Sequence, residues 1–242
     1  MTFNVQNNFV CKSNSSYWEK RAPYISKIIK DEQPDIVAMQ ECSGNLLESL
    51  ERLLPLYVAV FVERRENYYE NDNCFFVRKG RFRILDKNVF SLAKDINTPG
   101  SKIFGSIQPR KCSYIKVSDG KHIICLFNVH LDFLFLEVKR KQLCILKKII
   151  NEVSDSLFNV ILGDFNMPRN SLIESFEEDR KVSDVVSSTL GKTHKSGWYR
   201  TPIDHIFIDS FKVLDTYKVE GESAQKASDH YPIVTHVYLD SK

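Results

Sequence analysis

An α/β layered fold built around largely antiparallel sheets is what this sequence predicts. Three observations carry that reading. Short β-branched and aromatic runs recur along the whole chain. A few segments show helical spacing, and they fall early and in the middle instead of alternating regularly with the strands. No internal repeat and no low-complexity linker breaks the pattern.

The elements follow in order. Thr2 to Val5 reads as a short first strand. Tyr17 to Lys30 places Trp18, Ile25, Ile28 and Ile29 at helical spacing, and Pro34 stops the helix. Asp35-Ile-Val-Ala-Met39 is a continuous apolar run, the pattern of a buried strand. Leu46 to Leu54 is a second helix, closed by Pro55. Strands are expected at Tyr57–Val62, Cys74–Val77, Phe82–Asp86, Ser113–Val117 and His122–Asn128. Glu137 to Val153 is a long helix with Leu143, Leu146, Ile149 and Ile150 on one side. The last strands fall at Asn159–Leu162, Ile203–Ile208 and Ile233–Tyr238. Phe90 to Pro109 has no obvious element, and a connection that long is usually functional or mobile.

Composition bounds the classes. The 242 residues suit one domain of the larger single-core kind, spanning 1–242. An apolar share of 43% and a charged share of 27% exclude general disorder. Thirty-four basic residues against 31 acidic leave a net charge of only +3, so any polyanion contact must be local. The six cysteines form no C-x-x-C pair, which removes zinc ribbons and thioredoxin-like sites. Several lie in apolar runs and read as small core residues of a reducing compartment. With no 18-residue apolar stretch and no visible signal peptide, a monomer in the cytoplasm is expected, a removed leader staying open.

The chemistry stands where strands stop. Ile161-Leu-Gly-Asp-Phe-Asn166 runs an apolar strand into Asp164 and Asn166, which alternation would place on one side. Ile36-Val-Ala-Met-Gln-Glu41 ends on a carboxylate. Leu126-Phe-Asn-Val-His130 is followed by Asp132. Asp204 and His205 interrupt the apolar run at Ile203, and Ser228-Asp-His-Tyr-Pro232 precedes the last strand. Each alone reads as a turn or a hydrogen-bonded core histidine. Five together, rich in hard oxygen donors and imidazoles, suit Mg²⁺ or Mn²⁺ and phosphate-ester chemistry.

These segments, with Thr2-Phe-Asn-Val5, occur in an order that resembles the endonuclease/exonuclease/phosphatase superfamily. The closer resemblance is to a small bacterial-type subgroup, carried by Trp18, Arg21, Phe75-Phe-Val-Arg-Lys79, Pro99-Gly-Ser101 and Arg110. The resemblance implies a four-layer α/β sandwich: two packed mixed β-sheets flanked by helices, with a site at one rim. It implies a Mg²⁺-dependent phosphoesterase, Mn²⁺ being an alternative. Glu41 would be the direct metal ligand, with Asn4 and Asp229 nearby. Asp164 and Asn166 would position or deprotonate the attacking water. His230, held by Asp204, and His130 would contact the scissile phosphate, and Arg110 would stabilise negative charge.

Departures from the subgroup bear on detail. Asn71 stands where a Glu usually supports His130, with Glu70 and Asp72 beside it, and Lys139 stands where an Arg is common. Thr193-His194 matches a subgroup run loosely, so His194 is either a substrate contact or a loop residue. Nucleic acid or a nucleotide is the expected substrate, because Tyr68, Tyr69, Trp198 and Tyr199 stand beside Lys and Arg and could stack on bases. Ordinary surface loops are the competing reading of those segments. A lipid or sugar phosphate is the alternative substrate, and a catalytically silent binding domain is the alternative class. Phe133-Leu-Phe-Leu136 is expected to pack on the core; the other reading is an apolar membrane contact of the kind sphingomyelinases carry.

Overall fold

The structure is a computed structural model that describes residues 1–6, 16–42, 44–60, 73–156, 158–176, 182–196 and 199–239. Two six-stranded sheets pack face to face. The first comprises β1 (Thr2–Asn4), β2 (Ile36–Gln40), β3 (Tyr57–Val60), β4 (Cys74–Arg78), β11 (Lys212–Lys218) and β12 (Ile233–Tyr238), in the order β11-β12-β1-β2-β4-β3. The second comprises β5 (Arg83–Ser91), β6 (Lys111–Ser118), β7 (Ile123–His130), β8 (Phe158–Asp164), β9 (Ser183–Asp184) and β10 (Asp204–Asp209), in the order β5-β6-β7-β8-β10-β9. Each sheet is mixed: β1–β2 and β7–β8 are parallel, and the other pairs are antiparallel.

Helices cover both outer faces. α1 (Ser16–Glu32), α2 (Gly44–Leu53) and α5 (Glu222–Ala227) lie on the first sheet, where Ile25, Ile29, Leu50 and Ala224 meet Phe3, Met39 and Phe76. α1 contains Pro23, which removes one helical hydrogen bond at a cost of about 3 kcal/mol. Buried Ile25, Ile28 and Ile29 offset it, at about 2 kcal/mol each. α3 (Leu136–Val153) and α4 (Arg169–Phe176) cover the second sheet, with Leu143, Leu146, Ile149 and Ile150 packed on Phe127, Ile161 and Phe207. Ala38, Phe75, Ile115, Leu162, Ile206 and Ile233 fill the space between the sheets. The four layers are those the family resemblance implies.

A buried polar bridge fixes one sheet against the other. Asn128 of β7 donates to the carbonyls of Met39 (2.8 Å) and Cys74 (2.9 Å), and accepts from Gln40 Nε2 (2.7 Å). Satisfied polar groups inside a core specify one alignment, because any slip leaves them unpaired. Here the alignment places the end of β2, and hence Glu41, relative to β7 and His130.

Three readings are corrected. β5 runs to Ser91, so the long connection begins later than expected. β11 carries no strong apolar pattern and was not foreseen. Phe133, Leu134, Phe135 and Leu136 do not pack on the core; each is exposed, by 51%, 51%, 50% and 42%. Several cysteines behave as expected: Cys42, Cys74, Cys112 and Cys125 are buried, whereas Cys144 is exposed.

Candidate active site

At one level β7 and β8 end and the antiparallel β10 begins. His130 on β7 is the register partner of Asp164 on β8, and Asp164 is the partner of Asp204 on β10. Register partners project from the same face, so the three side chains converge. Gly163 makes the convergence possible. A Cβ there would sit 2.0 Å from the carbonyl oxygen of Val129, and its φ is +144°, so only glycine allows β7 and β8 to approach this closely. The other sheet contributes Asn4 from the end of β1 and Glu41 just after β2. Glu41 has φ +60°, an uncommon conformation for a residue with a side chain. Asn4 Nδ2 donates to Glu41 Oε1 at 2.9 Å and to Asp164 Oδ2 at 3.0 Å, joining the two sheets at this rim.

His230 closes the cluster from the segment before β12. Its Nδ1 meets Asp204 Oδ2 at 2.9 Å, and its Nε2 faces Asp164 Oδ2 at 3.7 Å. His130 Nε2 faces the same oxygen, also at 3.7 Å. Asp164 Oδ1 accepts from the backbone N–H of Asn166 at 2.9 Å. β8 therefore ends at Asp164, and the chain turns through Asn166 (φ +50°) instead of alternating to it. The Asn166 side chain donates to the Leu131 carbonyl at 3.2 Å, and buried Lys139 holds the Asn166 carbonyl at 2.9 Å.

Charge is divided unevenly. Burial opposes a proton on His230, but the carboxylates of Asp204, Asp164 and Asp229 push it up to about 10, so it is an imidazolium at neutral pH. Burial, then the nearby Arg110 and His230, holds His130 well below its ordinary value, so it is neutral. Burial and the neighbouring Asp204 push Asp164 up to about 6. Two adjacent histidines thus carry different charges. Asp204 Oδ1 is buried with no hydrogen-bond partner.

That donor set fits a cation. Among the described residues, Asp164, Asp204 and His230 form one group whose ligand atoms lie within 4.8 Å of one another, and His194, Asp229 and His230 form a second. The carboxylate oxygens of these groups suit Mg²⁺ or Mn²⁺, whereas the protonated His230 offers a hydrogen-bond donor there. Asp229 and His194 lie beside the first group: His194 Nε2 stands 3.6 Å from Asp229 Oδ2, and the His194 and His230 rings meet edge to face at 4.6 Å. Arg110 is buried at the end of the 92–110 connection. Tyr199 is exposed on the stretch before β10. Trp198, Asn71, Glu70, Asp72 and the basic-aromatic run at 64–69 lie outside the described residues.

Sequence reasoning assigned Arg21 no role. It is buried on α1, and its guanidinium donates to the carbonyls of Val5 (2.5 Å), Gln6 (2.6 Å) and Ala227 (3.0 Å). Those carbonyls flank Asn4 on one side and Asp229 on the other. A buried cation in an otherwise amphipathic helix was the available signal. His205 points away from the site. Its ring nitrogens meet Asp184 Oδ2 at 2.8 Å and the Met167 carbonyl at 3.0 Å.

Two helix-covered mixed sheets with a polar rim between them define a four-layer α/β sandwich. The chain belongs to the Endonuclease/Exonuclease/phosphatase family, which it matches over residues 1–230. It is 28% identical over 218 residues to an uncharacterised protein of Acanthamoeba polyphaga mimivirus, covering 81% of this chain and 76% of that one. An endonuclease/exonuclease/phosphatase from Bacteroides vulgatus superposes with a TM-score of 0.85 at 23% identity, over 99% of this chain and 97% of that one. The mannosyl-6-phosphatase of Bacteroides thetaiotaomicron superposes at 0.82 and 23% identity, over 98% of each. At those identities the two structures speak for the fold alone.

Proposed function

We propose that this protein is a Mg²⁺-dependent phosphoesterase that cleaves a phosphodiester or phosphomonoester by in-line attack of water. One observation carries the reading: His230 has Asp204 behind it and Asp164 in front of it, where β7 and β8 end and β10 begins. Glu41 would hold the ion, with Asn4 and Asp229 beside it. Bound there, Mg²⁺ would neutralise charge that develops on the phosphoryl oxygens. Asp164 accepts a proton from the attacking water as the water oxygen bonds to phosphorus. Asn166 and Asn4 fix the orientation of that carboxylate through their hydrogen bonds. The imidazolium of His230 directs an Nε2–H at a non-bridging oxygen, and Asp204 keeps its Nδ1 proton in place. His130 and Arg110 add a neutral donor and a fixed positive charge. The bond from phosphorus to the leaving oxygen breaks as the new bond forms.

The substrate is the finer question. The sequence favoured a nucleotide or nucleic acid, and His194, Trp198 and Tyr199 would be its contacts. A sugar phosphate is the second arm; the mannosyl-6-phosphatase has this fold. The test is a panel of oligonucleotides, nucleotides, sugar phosphates and a chromogenic phosphodiester, each with Mg²⁺ and with Mn²⁺. Turnover of at least one ester is expected. It should fall by about 10²–10⁴-fold in Asp164→Ala and His230→Ala. Undiminished turnover in both variants would sink the mechanism. Tight Mg²⁺ binding with no turnover on any ester would make the protein a binding domain.

A further inference from the structure

An apolar tip stands on the same rim as the candidate site. Phe133, Leu134, Phe135 and Leu136 follow β7 directly, three to six residues beyond His130, and each is exposed by about half. Phe104 is 99% exposed and Ile107 is 47% exposed on the neighbouring 92–110 connection. One buried carboxylate fastens both pieces. Asp132 Oδ2 accepts from Ser106 Oγ (2.9 Å) and from the Ile107 N–H (3.1 Å), and Oδ1 accepts from the Leu134 N–H (2.9 Å). Gly105 meanwhile lies against Val138 of α3. The six apolar side chains are therefore displayed in a fixed arrangement. Exposing so many large apolar groups together costs solubility, and such patches mark interaction surfaces.

We propose that this tip docks the protein on an anionic lipid bilayer, so that the ester it hydrolyses is presented at a membrane surface. The substrate half of this proposal rests on the phosphoesterase reading, whereas the docking half does not. Shape and charge select the occupant. Four consecutive exposed residues stand at the bend that leads into α3. A bilayer envelops such a protrusion, whereas a folded partner would need a matching pit. Leu134, Leu136 and Ile107 cannot stack on bases, so half the tip is wasted on nucleic acid. On the two segments that carry the tip, 94–110 and 132–148, the basic residues that reach the surface are Lys94, Lys102, Arg140, Lys141, Lys147 and Lys148, against Asp95 and Glu137. Lys102 and Lys141 are exposed beside the tip. Aromatic and aliphatic side chains framed by lysines are the combination that binds an anionic interface.

Sedimentation of the full chain with vesicles tests the docking. Vesicles of phosphatidylcholine alone are compared with vesicles that also contain about a third phosphatidylserine, in the range of anionic membranes. The protein should bind the anionic vesicles at least tenfold more tightly. Phe104→Ser and Phe133→Ser should each weaken binding about tenfold, with turnover of a soluble phosphate ester unchanged. Equal binding by wild type and variants, or none by wild type, would overturn the proposal. So would an oligonucleotide complex or a solution dimer that the same substitutions abolish. Asp164→Ala should bind vesicles as wild type does, which separates failure of docking from failure of the catalytic reading. With docking confirmed, faster turnover of a phosphorylated lipid in vesicles than of its free headgroup is expected, and the reverse would refute the substrate half.

Discussion

Asp204 and His205 are consecutive residues of β10, and each takes part in a carboxylate–imidazole pair. Asp204 holds His230 at 2.9 Å, and His205 meets Asp184 at 2.8 Å. Alternation sends the two pairs to opposite faces of the strand. Their chemistry is the same and their use differs. His205 spends its second nitrogen on the Met167 carbonyl and has no exposure at all. His230 leaves its second nitrogen facing Asp164, on the rim where His130, Asn4 and Asp229 converge. A buried Asp–His pair is therefore a fastening by default. It becomes chemistry where the outer nitrogen remains available to something else.

Removing each histidine separates the two roles. His230→Ala should lower turnover per folded molecule by about 10²–10⁴-fold, and because it strips buried Asp204 of its imidazole it should lower the melting temperature as well. His205→Leu should lower the melting temperature alone. It leaves Asp184 buried without its imidazole and frees the Met167 carbonyl, at a cost of about 3 kcal/mol. In a chain of this size the melting temperature should fall by on the order of 10 °C, with turnover per folded molecule retained. Calorimetry and steady-state kinetics on both variants decide the matter. A large loss of turnover in His205→Leu with unchanged stability would break the distinction.

Much of this contrast was legible in the sequence, for a physical reason. A buried strand is an apolar run, so the polar residue at its end is conspicuous, as at Glu41, His130 and Asp164. Asp204 and His205 stood out as well, but only strand pairing shows which of them faces the site. Other features carried no such signal. β11 is an exposed edge strand of mixed composition and lacks the apolar pattern of its neighbours. Arg21 stood out only as part of the subgroup resemblance, and its hydrogen bonds to backbone carbonyls depend on the folded geometry. Hydrophobicity alone sent Phe133 to Leu136 into the core, because sequence cannot distinguish an apolar run that is buried from one that is displayed.

Arg21 offers a smaller perturbation of the open pair's surroundings. Its guanidinium ties the backbone after Asn4 to the backbone before Asp229. It also lies near the carboxylates of Glu41 and Asp229. Arg21→Gln loosens both ends of the proposed ion site without touching His230 or Asp204. The Mg²⁺ concentration for half-maximal turnover should rise about tenfold, equivalent to 1.4 kcal/mol, with turnover at saturating Mg²⁺ nearly restored. Calorimetric titration with Mg²⁺ should show the same loss. Lower turnover at every Mg²⁺ concentration, with affinity unchanged, would mean that Arg21 only supports folding.

The mildest test concerns Asp132, a third buried carboxylate, which has taken neither course. It faces no imidazole among the described residues and spends its oxygens on Ser106, Ile107 and Leu134. Burial opposes its charge, but those hydrogen bonds outweigh burial and hold it below the ordinary carboxylate value. The unfolded chain thus binds the Asp132 proton more readily than the folded one. Its contribution to stability is fully present above the unfolded value of about 3.9, and it is lost as pH falls through the lower folded value. Asp132→Asn replaces charged acceptors by a neutral one, at a cost of about 1 kcal/mol. The gap in melting temperature between wild type and variant should be widest above about pH 5 and should shrink as pH falls through the lowered folded value. A gap that stays constant across that range would show that Asp132 stabilises through shape alone, leaving the charge of His230's partner as the feature that sets the open pair apart.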